Sequence, residues 1–199
     1  MDEPYNRQPA RPGWSRSLDT SIASLRAALQ RFPDSSDPAH SPATFLEFLD
    51  SSPDVFCREH VTGHFTGSAW LVSGDGRRVL LTHHRKLQRW LQLGGHADGE
   101  RDLARVALQE AREESGLRNL EVEPAIFDLD RHWIPPRGDE AGHWHYDVRF
   151  VVRATGSEDF VVSAESLALA WKPVCELLHD ASIDASLKRM AGRWLGRQR

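Results

Sequence analysis

The sequence predicts a mixed α/β layered domain preceded by a helical extension. Three observations carry that prediction. Two segments near the N-terminus repeat apolar residues at helical spacing. Several later segments are short, β-branched and aromatic, with turn residues between them. One strongly helical segment lies among those strands and another closes the chain. Strands on both sides of a central helix call for layers packed around one sheet.

Residues 1–18 are polar and proline-bearing and read as a flexible tail. Residues 19–58 read as the helical extension. In its first helix Ile22, Leu25, Leu29 and Phe32 form a stripe, with Asp19 to Ser21 as cap candidates. A breaker-rich loop, PDSSDPAHSP, leads to Ser41-Pro42, a cap followed by proline at the first helical position. Phe45, Leu46 and Leu49 form the second stripe. These helices are expected to cap the fold or to form a homodimer surface.

The main domain is expected over residues 59–199. HVTGHFTGSAWLVS and RRVLLTHH read as strands joined by the turn SGDG. Trp90 to Leu93 is a short strand entering Gly94-Gly95, where backbone can approach a ligand closely. A helix follows, ended by Gly116 as a C-cap glycine. LEVEPAIFDLD, HWHYDVRFVVRA and DFVVSA read as further strands, and WKPVCELL as a turn into a short helix. The last helix sets Ile183, Leu187, Met190 and Trp194 on one face.

Composition narrows the function. The formal net charge is −4 and no basic run occurs, so duplex nucleic acid is not an expected partner. No apolar run is long enough to span a bilayer. The opening segment has no apolar signal core, and Cys57 and Cys175 form neither a CxxC nor a metal spacing. A cytoplasmic protein is expected.

The central helix poses the chemical question. Glu110, Glu113 and Glu114 stand at i, i+3 and i+4 and share one face. Ala104, Ala107, Leu108 and Ala111 form a separate apolar stripe, so the carboxylates project from the rim of the packed face. Like charges this close cost about 0.2–0.5 kcal/mol per exposed pair. A solvated charged face is one reading. The other is a hard divalent cation, which takes oxygen ligands from a few carboxylates, water and substrate phosphate.

The segment GGHADGERDLARVALQEAREESGL resembles the Nudix box, G-x5-E-x7-R-E-U-x-E-E-x-G-U, where U is a bulky aliphatic. Glu110, Glu113, Glu114, Gly116 and Leu117 match it, and Gly95 falls on the first glycine. Three positions depart. Gln109 stands where the family has arginine, and Ala111 replaces a larger aliphatic. Arg101 falls on the first glutamate, with Glu100 one residue early. Either the loop is one residue shorter and the helix one longer, or that role is lost.

The resemblance implies the family's α/β/α sandwich with a mixed sheet. It implies a Mg²⁺- or Mn²⁺-dependent hydrolase that cleaves the pyrophosphate of a nucleoside diphosphate linked to another group, by attack of water on phosphorus. Glu110, Glu113 and Glu114 would be the metal ligands, with Glu110 and Glu113 catalytic. Glu165 is the candidate general base, because some members carry a late-loop glutamate in that role. Gly94 and Gly95 would approach the substrate. Two rivals share the fold: a non-catalytic nucleotide-sensing module, and an isomerase of the isopentenyl diphosphate type. The isomerase uses a characteristic catalytic cysteine, and neither Cys57 nor Cys175 has such a setting.

HWHYDVRF is the second unusual stretch. As a strand it places His143, His145, Asp147 and Arg149 on one side and Trp144, Tyr146, Val148 and Phe150 on the other. The polar side is expected to line the pocket, with His143 and His145 toward phosphate or metal-bound water and Asp147 orienting them. His96 is a further wall candidate. A transition-metal site made of His96, His143, His145 and Asp147 is another arrangement open to these residues. His83, His84, Arg85 and Lys86 precede the box, and Arg85 is the candidate phosphate contact. Trp90, Trp133 and Trp144 are large enough to stack on a base, although such residues also build cores.

Overall fold

A computed structural model describes residues 12–138, 141–163 and 166–198, with side chains from residue 21 onward. The elements run α1 (Pro12–Arg31), α2 (Pro42–Ser51), β1 (Gly63–Val72), β2 (Arg78–His84), β3 (Arg89–Leu91), β4 (Leu93–His96), α3 (Leu103–Ser115), β5 (Leu120–Ile134), β6 (His143–Ala154), β7 (Ser166–Pro173), α4 (Val174–Leu177) and α5 (Ala185–Arg197). The strands form one mixed sheet ordered β3-β2-β1-β6-β5, with β4 also pairing β1 and β7 pairing β2. β1 and β6 run parallel; the other pairs are antiparallel. The expected α/β/α sandwich is what forms.

Alternation along β1 sorts the two faces of the sheet. Phe65, Ala69 and Leu71 turn toward α1, α2 and α3, in a core that includes Leu29, Phe45, Leu103, Val106 and Ala107. Trp70 and Val72 turn the other way, onto Leu187, Met190 and Trp194 of α5. The stripe expected of the last helix is fully buried there.

Helix α3 approaches β1 over Gly67, where a Cβ would fall 2.8 Å from the Leu103 carbonyl oxygen. It starts at Asp102, whose side chain accepts from the Arg105 N–H, and ends at Gly116 in the left-handed region at φ 72°.

The two N-terminal helices share the core of the sheet. Phe48 stacks on Tyr146 of β6, ring centroids 3.6 Å apart and planes 2° from parallel. The loop between them covers the outer edge of β5, where the Arg131 N–H donates to the Ala39 carbonyl at 2.7 Å. These helices therefore pack onto the sheet and share its core.

Three expectations are corrected. Helix α1 begins at Pro12, ahead of the expected cap, because proline fits a first helical turn and Gly13, in that same turn, is the last breaker before Arg31. DFVVSA does not form a strand over its described residues 159–163. The edge of β2 is occupied by Ser166–Pro173 instead, and Val161 and Val162 are exposed. Gly94 and Gly95 lie inside β4, paired with Ser68 and Gly67. A Cβ on Gly94 would meet the Ser68 Cα at 2.8 Å, so only glycine permits that pairing distance.

Candidate active site

The carboxylates lie where α3 meets β4. A Cβ on Gly95 would fall 2.6 Å from the carboxyl carbon of Glu110, so this glycine makes room for that group. The Gly94 N–H donates to Glu114 Oε1 at 2.8 Å. Gln109 Nε2 donates to Glu113 Oε1 at 2.8 Å. Each glutamate thus leans on a different neighbour. Leu103, Val106, Ala107 and Ala111 bury the adjoining face of the helix, so the glutamates stand at the rim of the packed side.

Gln109, the departure from the box pattern, holds a box glutamate from one helical turn away. Glu100 lies outside this group. Its Oε1 accepts from the N–H groups of Arg101 and Asp102 at 2.8 and 3.0 Å, and its Oε2 lies 3.3 Å from Arg105 Nη1. It serves the start of α3, not the carboxylate face. Glu165 lies outside the described residues.

The polar strand face behaves as two separate groups. Asp147, 2% exposed, accepts from Thr66 Oγ1 at 3.0 Å, Ser68 Oγ at 2.7 Å and Arg149 Nε at 2.7 Å. These donors turn it away from the histidines it was expected to orient. Arg149, equally buried, also reaches Asp128 and Asp130 on β5, and Arg189 of α5 joins both aspartates at 2.7 Å. Burial alone would lower the Arg149 pKa; Asp147, Asp130 and Asp128 raise it above the usual arginine value. Burial alone would raise Asp130; the hydrogen bond from His132 and the charges of Arg149 and Arg189 hold it well below the usual carboxylate range.

The histidines gather around a residue that the sequence reading passed over. His64 of β1 is 1% exposed, with its ring centroid 4.9 Å from His96, 4.9 Å from His143 and 4.8 Å from His145. The readable signal was the alternation His64, Thr66, Ser68, three polar side chains on one face of an otherwise apolar strand. Along β4 the chain switches sides in one step, Gly95 beneath Glu110 and His96 against His64. The carboxylates and the histidines therefore flank β4 from opposite faces.

The remaining candidates sit at the sheet rim. Arg85 Nη2 donates to the Ser166 carbonyl at 3.0 Å, tying β2 to β7. His84 Nδ1 accepts from the Lys86 and Leu87 N–H groups and shapes the turn after β2. Trp90 carries Lys172 over its ring, and Trp144 carries Arg131 over its own. Trp133 is 48% exposed and lies edge-on to Trp144.

A family model for the NUDIX domain matches residues 64–191. The chain belongs to the NUDIX domain family. It is accordingly an enzyme of the Nudix pyrophosphohydrolase class. Among solved structures it is similar to a binary complex of the C. elegans Ap4A hydrolase, with 14% identity and a TM-score of 0.53 over 67% of this chain and 96% of that one. It is likewise similar to the MutT protein of Methanosarcina mazei, with 16% identity and a TM-score of 0.52 over 68% and 94%. A NUDIX-family hydrolase from Clostridium perfringens gives 22% identity and a TM-score of 0.50 over 68% and 98%. At these identities the likeness is one of fold. No curated protein matches the sequence significantly. Among the described residues, no helix is long and apolar enough to cross a membrane.

Proposed function

We propose that the protein hydrolyses a nucleotide-type pyrophosphate with Mg²⁺ or Mn²⁺, water attacking phosphorus. The observation that carries this reading is the glutamate face of α3 set against β4, where Gly95 leaves room for Glu110 and the Gly94 N–H holds Glu114. A donor set of three carboxylates is hard and anionic, which suits Mg²⁺ and Mn²⁺. Glu110, Glu113 and Glu114 would hold such ions, which screen the phosphate charge and lower the pKa of water. The chain itself supplies orientation: Gln109 fixes Glu113, the Gly94 N–H fixes Glu114, and Gly95 leaves Glu110 room.

The test is release of phosphate or nucleoside monophosphate from nucleoside triphosphates, dinucleotides, nucleotide sugars and coenzyme A. Each is assayed with Mg²⁺, with Mn²⁺ and with chelator. Turnover of one class, abolished by chelator and by Glu113→Gln, is expected. A Glu113→Gln variant with near-normal turnover overturns the assignment. Binding of nucleotide without turnover across the panel would favour the sensing module.

A further inference from the structure

Three strands each send one histidine to a common point on the α5 side of the sheet. They are His64 of β1, His96 of β4 and His145 of β6, and one donor nitrogen from each lies within 4.8 Å of the others. Neither ring nitrogen of His64 has a hydrogen-bond partner, although the residue is 1% exposed. A buried polar group without a partner costs on the order of 1–3 kcal/mol, so its retention calls for an explanation.

His143 sharpens the point. Its Nδ1 lies 2.9 Å from the Ala141 carbonyl, which only accepts, so Nδ1 carries the proton and the lone pair is on Nε2. That Nε2 is 3.2 Å from Nε2 of His145. Two lone pairs do not face each other without a proton or a cation. If His145 supplies a proton there, its Nδ1 keeps a lone pair for another partner.

The surroundings favour the neutral form of His64 and His145. Burial, then the neighbouring imidazoles, lower His64 to about 4; burial, then His132 and the other histidines, lower His145 to about 2. Among the described residues no carboxylate belongs to the set: Asp147 is turned onto Thr66, Ser68 and Arg149, and Asp98, the acidic neighbour of His64 and His96, is held by Arg58 at 2.6 and 2.7 Å. An all-imidazole set is a poor match for Mg²⁺ and a good one for zinc and its neighbours in the first transition row.

We propose that His64, His96 and His145 form a binding site for a transition-metal dication of the zinc class, separate from the carboxylate face of α3. Three imidazoles leave one tetrahedral position open beside His143. Tetrahedral Zn–N bonds of about 2.0–2.1 Å place ligand nitrogens roughly 3.3 Å apart, so the rings close inward by about an ångström on binding. Half-buried His96 gives the ion its way in. The bound ion would tie β1, β4 and β6 together and satisfy His64.

The experiment uses tag-free, full-length, metal-stripped protein titrated with Co²⁺ alone, read by its visible d–d absorption, then with Zn²⁺. Bands saturating at one equivalent and bleached by Zn²⁺ are expected, together with a higher Tm in Zn²⁺. His96→Ala and His145→Ala should abolish the bands. Glu113→Gln, His83→Ala and His84→Ala should keep them. If His145→Ala fails to fold, half-buried His96→Gln decides. No bands, or bands that survive loss of His96, or bands lost with Glu113, overturn the site. Because the readout is spectroscopic, it is separable from any failure of the hydrolase reading.

Discussion

Gly95 lies directly against Glu110: a methyl group at its Cα would come within 2.6 Å of the carboxyl carbon. The clash is with the far end of a flexible side chain, so the fold can tolerate it while the carboxylate cannot stay. Gly95→Ala is therefore expected to leave Tm within a degree or two. On the proposed role of Glu110, its displacement by about an ångström is expected to cost on the order of a hundredfold in rate. Initial rates with Mg²⁺ beside a thermal melt would check this. A variant that keeps full activity would mean that Glu110 is not held where the reaction needs it.

Gln109 occupies the box position of an arginine and still reaches Glu113. Removing one such hydrogen bond is worth about 0.5–1.5 kcal/mol, or roughly two- to tenfold in rate. Gln109→Ala should lower kcat by that factor with KM little changed. Gln109→Arg, which keeps a donor at the same place, should restore most of it. Steady-state kinetics on the two variants tests the pair. Equal kcat for Gln109→Ala and the parent would show that Glu113 needs no such support.

The glutamate triplet was legible because helical spacing alone puts residues 110, 113 and 114 on one face. The stripe of α5 was legible for the same reason. Glu100 was not. Its carboxylate answers to the unpaired N–H groups at the start of α3, a local demand that competes with any role at the metal. His64 was legible only as a polar residue on one face of an apolar strand; its meeting with His96 and His145 comes from β4 and β6 pairing with β1 across long stretches of sequence. The segment around Val161 has strand propensity, yet the edge of β2 was already filled by Ser166–Pro173.

The buried ion network predicts an acid limit to stability. Asp130 has its pKa depressed in the folded state, so the unfolded chain binds the proton more readily. Its contribution is complete above the ordinary value of 3.8 and is lost as the pH falls below that value. Denaturant melts between pH 7 and pH 3 should show stability declining at the acid end. Arg149→Met should cost about 3–5 kcal/mol at pH 7, since it leaves Asp147, Asp128 and Asp130 buried with less compensation. The loss should shrink toward pH 3, because without the Arg149 charge the Asp130 carboxyl group takes up its proton more readily. A pH-independent loss would mean that packing, and not charge, is what Arg149 provides.

The N-terminal helices make the last prediction. Phe48 is 7% exposed and stacked face to face on Tyr146, with Phe65 beside it. Phe48→Ala should cost about 3–5 kcal/mol, the usual range for an aromatic deleted from a packed core. Deleting residues 1–58 should do much more, because it strips Leu29, Phe45, Phe48 and Leu49 together from the core they build against the sheet. The shortened chain is expected to bind a hydrophobic dye, lose its near-ultraviolet circular dichroism and unfold without a cooperative transition. Cooperative melting of that chain at the parent's Tm would instead make residues 59–199 a self-sufficient domain and the helices a dispensable cap.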